Sequence, residues 1–256
     1  MIIGIIPARF ASSRLMGKPL ADIGGKPMIQ HTYNNARKSK LLDKVIIAVD
    51  DEKVFQVVKE FGAEVYMTPK NCTSGSDRIA IVTEKIPEAS IIVNIQGDEP
   101  FIKGKMIDEA IEPLLFDRKV NVATLARRIS NVEDMKSASV VKVVFDYNNM
   151  ALYFSRSPIP FVREAKTNLA RIQTAEIYKH IGLYVYRREA LLKFTQLKPT
   201  DLEQIEKLEQ LRFLEHGFKM KIVVTDYDSL SVDTQKDLEL ARRFYDKHSK
   251  TSGKTK

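Results

Sequence analysis

Short, unbroken runs of apolar and β-branched residues alternate with helix-periodic segments through the first 150 residues, and this rhythm constrains the fold more than any other feature. Segments 2–6, 45–49, 64–67, 91–95 and 120–125 read as strands; 27–38, 52–61, 77–85 and 105–116 between them read as helices. A strand wetted on one face alternates polar and apolar residues, whereas an unbroken apolar run suits a strand covered on both. With a helix between successive strands, the expectation is a doubly wound, mostly parallel α/β sandwich.

After about residue 130 the rhythm changes. Segments 140–145, 151–154 and 180–186 are strand-like with little helix between them, which predicts a smaller inserted antiparallel lobe over about 131–188. Segment 161–174 has mixed charge and no period, and reads as a loop. Helices at 189–195 and 202–216, a strand at 220–225 and a helix at 234–247 complete one domain spanning 1–246. Residues 247–256, with four lysines and no acid, read as a disordered basic tail.

That tail matters for the charge. The chain carries 41 basic and 33 acidic residues, a net +8, which taken alone suggests a polyanion such as nucleic acid. Half of the excess lies in the tail, there is no tryptophan to stack on bases, and no nucleic-acid-binding motif is present. Small anions are the better fit. Cys72 is the single cysteine, so no internal disulfide forms and a reducing cytoplasm suits the chain. The apolar run at 2–6 lacks a basic leader and stops at Pro7, so it is not expected to be a signal sequence. No stretch approaches the ~20 apolar residues of a membrane span.

Open α/β sheets bind ligands beyond the carboxyl ends of their strands. Four loops lie there: 7–19, 50–51, 68–78 and 96–100. The first contains Arg9, Arg14 and Lys18 among small residues, a set able to wrap a polyphosphate; a solvated basic loop is the equal alternative. It is neither a dinucleotide fingerprint nor a Walker loop. In Gln96-Gly97-Asp98-Glu99-Pro100, Asp98 could ligate a hard cation, with Gly97 allowing close approach of a ligand, or Asp98 could simply cap the next helix. In Ser231-Val232-Asp233-Thr234, Asp233 is a second candidate carboxylate, or else the segment is only a helix start. Arg156, Arg163, His180, Tyr184, Glu206, Glu209 and Gln210 are scattered polar candidates. Glu206, Glu209 and Gln210 share one helix face if 202–216 is continuous, with Ile205, Leu208, Leu211 and Leu214 as its core stripe. Taken alone, these residues read more simply as a charged helix face and a surface histidine.

Eight motifs, in order, resemble one family. They are Pro7-Ala8-Arg9 with Ser13-Arg14-Leu15-x-Gly17-Lys18-Pro19, Ser74-Gly75-Ser76-Asp77-Arg78, Val93-Asn94-Ile95-Gln96-Gly97-Asp98-Glu99-Pro100, Val141-Lys142-Val143-Val144, Tyr153-Phe154-Ser155-Arg156, His180-Ile181-Gly182-Leu183-Tyr184, Glu206-Lys207-Leu208-Glu209-Gln210 and Val232-Asp233-Thr234. The chain resembles the 3-deoxy-D-manno-octulosonate (Kdo) cytidylyltransferases from residue 2 to about 243. The resemblance implies a nucleotidyltransferase sandwich with a dimerisation lobe, acting in the cytoplasm as a homodimer. It implies CTP and Kdo as substrates, CMP-Kdo and diphosphate as products, Mg²⁺ as cofactor, and a place in lipopolysaccharide synthesis.

By motif, Arg9, Arg14 and Lys18 would hold the triphosphate, and Thr73, Ser74, Gly75, Arg78 and Gln96 would line the nucleotide site. Asp98 and Asp233 would ligate Mg²⁺ and, with Lys18, carry catalysis. Arg156, Arg163, His180, Tyr184, Glu209 and Gln210 would bind the sugar acid. Three residues depart from the family pattern: Met16 for a proline, Cys72 for a histidine and Ser231 for a glycine. Another acidic sugar, such as a sialic acid, is the alternative acceptor.

Overall fold

The computed structural model describes residues 1–11 and 15–252, with side chains described as far as 248. Its internal contacts divide the chain into two compact units, 1–108 with 229–256, and 109–228. The expected lobe at 131–188 falls wholly within the second.

The first unit is the parallel half. β1 (Ile2–Ala8) lies between β4 (Lys44–Val49) and β6 (Ile91–Asn94), and β5 (Glu64–Met67) follows β4, with every pairing parallel. Ile3, Ile5, Ile6, Ile46, Ile47, Ile92 and Val93 are wholly buried, which is why these strands carry no polar alternation. A short hairpin, β2 (Asp22–Ile23) with β3 (Lys26–Pro27), precedes α1 (Met28–Ala36). α2 (Glu52–Glu60) starts at Asp51, whose carboxylate accepts the Lys53 N–H. α3 (Gly75–Glu84) starts with a capping box between Ser74 and Asp77, the reciprocal exchange that satisfies two orphan donors. α4 (Gly104–Phe116) follows β6.

α10 (Gln235–Ser252) returns to the first unit and packs Leu238 and Ala241 against Ile23, Met28 and Val232. It continues through six of the ten residues expected to form a tail, and residues 253–256 lie outside the described ones. Phe244 and His248, one turn apart, support the extension: their rings are 4.1 Å apart and the His248 Nδ1 lies 2.8 Å from the Phe244 carbonyl.

In the second unit β7 (Val122–Arg128) pairs parallel with β11 (Lys221–Val224) and antiparallel with β10 (Tyr178–Arg187); β8 (Lys142–Phe145) pairs antiparallel with β10 and β9 (Ala151–Ser155). Two short helices were not expected from the sequence. α5 (Val132–Lys136) is capped by Asn131 and α6 (Asn168–Thr174) by Thr167, each side-chain oxygen accepting a backbone N–H three residues on. Segment 161–174 is therefore not wholly a loop: Ile172 enters a small core with Ile129, Met135 and Ile177, an anchor too short to show as periodicity.

α7 (Arg188–Thr195) is followed by two helices rather than one over 202–216. α8 (Asp201–Glu206) stops at Lys207, which is left-handed with φ 53, and α9 (Leu211–Glu215) begins afresh. The break removes the helical geometry on which a shared face of Glu206, Glu209 and Gln210 depended. It also leaves Ile205, expected in the core, 77% exposed, while Leu208 and Leu211 are buried.

Candidate functional site

In the first unit, the carboxyl ends of β1 and β6, the start of α3 and the approach to α10 enclose one pocket. β1 carries the chain into Arg9, which lines it. The loop then turns at Gly17, where φ is 66, and Lys18-Pro19-Leu20 form a single 3₁₀ turn that brings Lys18 back to the strand ends. A side chain at 17 would be strained in that left-handed conformation.

Lys18 is the centre of the pocket. Its Nζ lies 2.5 Å from Asp98 Oδ2 and 2.8 Å from Asp233 Oδ1. Two carboxylates from distant parts of the chain thus converge on one cation. Asp98 is too far upstream of Gly104 to cap α4, so of its two sequence readings only the pocket-facing one remains. At the other end Thr234 takes the capping role: its N–H and hydroxyl donate to Asp237 Oδ2, both at 2.8 Å, and its own oxygen accepts the Asp237 N–H at 3.3 Å. Burial opposes the charge on Asp237, but these bonds, the Asp233 N–H and nearby Lys18 outweigh it and hold its pKa below the ordinary value. Thr234 caps, and Asp233 faces the pocket. The Val232 N–H donates to the Asp98 carbonyl at 2.9 Å, locking the two acid-bearing loops together.

Gly97 borders the pocket, and a Cβ there would stand 2.8 Å from the Pro7 carbonyl, so it also permits a close approach of the protein's own backbone. Ser74, Gly75, Arg78 and Gln96 line the pocket, and the Gln96 amide donates to Asn94 at 3.2 Å. Thr73 is exposed and hydrogen-bonds Asp77. Arg78 borders the pocket but is 2% exposed, and its guanidinium is held by Asp50 and Thr68. Arg14 lies outside the described residues.

Pro7, Ala8, Met28 and Cys72 also line the pocket, and Asp50 supports it; none was assigned a role from sequence. Asp50 occupies one of the four strand-end loops, the one signal that could have pointed to it. Cys72 stands where the family pattern has histidine, and Ser231 is not among the residues of positive φ, so its turn avoids the strain a lost glycine would impose.

Two carboxylate oxygens within reach of one ammonium are a fitting donor set for a hard divalent cation. Mg²⁺ takes few protein carboxylates and completes its shell with water and substrate phosphate. Among the described residues there is no group of three or more His, Cys, Asp or Glu that could hold a metal ion.

The remaining candidates lie in the second unit, and their side chains are largely turned on one another. Arg156 donates from Nε to the Glu206 carbonyl (2.7 Å) and from its two terminal nitrogens to the Ala138 and Lys207 carbonyls (2.9 and 3.2 Å). The Glu206 carboxylate accepts from the Ser155 hydroxyl (2.6 Å) and the Arg156 N–H (3.0 Å). Burial opposes the Glu206 charge, but these two bonds, the Arg156 charge and the Tyr153 hydroxyl together overcome it and keep its pKa low. Beneath them Lys142 is fully buried, donating to the Ser137, Val140 and Arg156 carbonyls at 2.6–2.9 Å. Burial lowers its pKa.

His180 lies 2.9 Å from the Thr124 hydroxyl through Nε2, with the Phe154 ring edge-on at 5.0 Å and the Tyr184 ring at 5.4 Å. Desolvation pushes its pKa down to about 3, so the ring is neutral at physiological pH. Gln210 is buried and Glu209 half-buried. Arg163 stands apart, its side chain 90% exposed beside Glu164.

A parallel α/β sheet whose strand ends hold a lysine, an arginine and two convergent carboxylates defines an α/β nucleotidyltransferase. Residues 3–222 match the cytidylyltransferase family. The chain is 51% identical over 242 residues to 3-deoxy-manno-octulosonate cytidylyltransferase of Geotalea uraniireducens, covering 93% of this chain and 96% of that one. It is 45% identical over 258 residues to the enzyme of the same name from Thermodesulfovibrio yellowstonii, covering 96% and 98%. The chain belongs to the cytidylyltransferase family, and within it to the 3-deoxy-manno-octulosonate cytidylyltransferases. A solved CMP:2-keto-3-deoxy-manno-octonic acid synthetase complexed with CTP superposes with TM-score 0.89 at 40% identity, covering 96% of this chain and 99% of that one. A 4-diphosphocytidyl-2C-methyl-D-erythritol synthase from Anaerococcus prevotii shares the fold, with TM-score 0.62 at 16% identity.

Proposed function

We propose that the chain activates Kdo by transferring the cytidylyl group of CTP to it, giving CMP-Kdo and diphosphate. The observation that carries this reading is the convergence of Lys18, Asp98 and Asp233 at the strand ends, in a chain of this family. The anomeric hydroxyl oxygen of Kdo forms a bond to the α-phosphorus as its proton passes to solvent, the bond from that phosphorus to the bridging oxygen breaks, and diphosphate leaves with the electron pair. No covalent enzyme intermediate is required, so the protein contributes position and charge.

Lys18 and Arg9 border the pocket as cations for the triphosphate, where a fixed positive charge offsets the charge that builds on the departing diphosphate. Asp98 and Asp233 would hold Mg²⁺, which supplies Lewis-acid polarisation of phosphate oxygens when bound. Gly75, the first residue of α3, offers an N–H suited to an anion, while the Ser74 N–H is taken by Asp77 in the capping box. In the second unit we assign sugar-acid recognition to the surroundings of Arg156, His180, Tyr184, Glu209 and Gln210. Three of the five N–H directions of Arg156 are already spent on carbonyls, so it contributes mainly by fixing that surface.

The activated sugar would serve lipopolysaccharide synthesis, in the cytoplasm and from a homodimer. Exposed Leu152, Phe161 and Leu169 in the second unit support self-association. Among the described residues no helix is long and apolar enough to cross a membrane. The deciding assay is diphosphate release with each of the four nucleoside triphosphates, with and without Kdo and Mg²⁺. Release that needs CTP, Kdo and the metal together is expected; release indifferent to Kdo would overturn the assignment.

A further inference from the structure

Asp50 lies immediately beyond β4, 6% exposed, and the proposed reaction does not use it directly. Its Oδ1 accepts the Phe10 N–H at 2.9 Å, and its Oδ2 accepts from Arg78 at 2.9 Å. Arg78 also donates to the Thr68 hydroxyl, which donates in turn to the Val49 carbonyl at 2.7 Å. Four segments therefore meet through one buried carboxylate: the loop after β1, the end of β4, the residue after β5 and the first turn of α3. Two of them border the pocket directly, because Arg9 precedes Phe10 and Ser74-Gly75 stand one turn before Arg78.

A buried ion pair is a weak source of stability, since desolvating both charges offsets most of their attraction. What such a pair supplies is a defined geometry. We propose that Asp50 is a positioning residue for triphosphate binding, holding the Phe10 amide and Arg78 so that Arg9 and the Ser74-Gly75 turn face the pocket. This rests on the reading of the pocket as the CTP site. Without the carboxylate, the Phe10 N–H loses its acceptor and Arg78 becomes a buried charge lacking its counter-ion. The loop carrying Arg9 then loses its fixed point. The effect falls on ligands with β- and γ-phosphates and spares those without them.

Equilibrium binding of CTP and of CMP to wild type, Asp50→Ala and Asp50→Asn, with thermal melting of each, tests this. Wild type binding CTP no more tightly than CMP would defeat the reading of the pocket itself, a separate result. Given tighter CTP binding, Asp50→Ala is expected to weaken CTP about 10- to 100-fold, the scale of a small misplacement of a binding group, while CMP shifts by less than about 3-fold. Asp50→Asn keeps an oxygen for the Phe10 N–H but loses the charge facing Arg78, and should fall between. A purely structural carboxylate would lower the melting temperature and leave the CTP-to-CMP affinity ratio at the wild-type value; that overturns the proposal. If the alanine variant does not fold, the asparagine variant decides, and an unchanged ratio in it also overturns the proposal.

Discussion

Two charge clusters, one in each unit, are treated in opposite ways. In the first, Lys18, Asp98 and Asp233 come from three separated stretches of chain and meet at the edge of an open pocket, so their interactions can be exchanged for those of a ligand. In the second, Lys142, Arg156 and Glu206 are spent on backbone carbonyls, a hydroxyl and each other. Charges of the first kind are held ready for chemistry, and those of the second hold a surface in shape. Substitutions in the two places should therefore fail differently: the first set in rate with the fold intact, the second in stability and in the affinity for the sugar acid together.

The largest effect is expected at the convergent acids. Asp98→Asn or Asp233→Asn should lower kcat for diphosphate release by about 10³-fold or more, with melting temperature near wild type, because each would remove half of the donor set for a catalytic cation. Lys18→Met should cost about 10²- to 10³-fold in kcat, the scale of losing one preorganised charge stabiliser. A melting temperature that collapsed in step with activity in these variants would erase the contrast between the units.

Glu206→Ala belongs to the other kind. It removes the acceptor of the Ser155 hydroxyl and the Arg156 N–H, and should cost about 1–3 kcal/mol in a denaturation series. It should raise KM for Kdo while leaving CTP affinity unchanged; a shift confined to CTP would contradict it.

His180 gives a pH test of the same contrast. Its folded pKa of about 3 is below the ordinary 6.5, so the unfolded chain binds the extra proton between those values. Stability is then complete above about pH 6.5 and is lost progressively as pH falls toward 3. His180→Gln should flatten that slope in melts from pH 6.5 to 4.5, and no ionisation of His180 should appear in rate profiles from pH 6 to 9. The smallest effect is expected at Cys72, which lines the pocket as a small, half-buried side chain. Cys72→Ser should change kcat/KM by less than about 3-fold, as a near-isosteric exchange.

The first unit was legible in the sequence because its signals are local. β5 falls on the expected residues 64–67, and the apolar runs of β1, β4 and β6 mark strands buried on both faces. The loops at strand ends then pointed to Lys18 and Asp98 before any motif was considered. What was not legible depends on contacts distant in sequence or on a single dihedral. The helix over 202–216 looked continuous because no Gly or Pro marks the break, yet Lys207 adopts φ 53 and divides it. At Gly97 nothing in the neighbouring residues reveals the Pro7 carbonyl 2.8 Å from where a Cβ would stand. Arg78 borders the pocket, but nothing local reveals its partners Asp50 and Thr68, which lie 28 and 10 residues away along the chain. α6 was missed because one buried isoleucine, Ile172, is too little for a pattern.

The bond from Lys18 to Asp233 spans 215 residues, and this has a bearing on how the molecule is made. Lys18 and Asp98 leave the ribosome early, but the second acid arrives only with the segment that leads into the final helix. A chain interrupted between Asp98 and Asp233 has the parallel strands and the basic loop yet only one of the two acids. Completion of the pocket thus waits for the segment that leads into α10, and a nascent chain should remain inactive until that segment emerges.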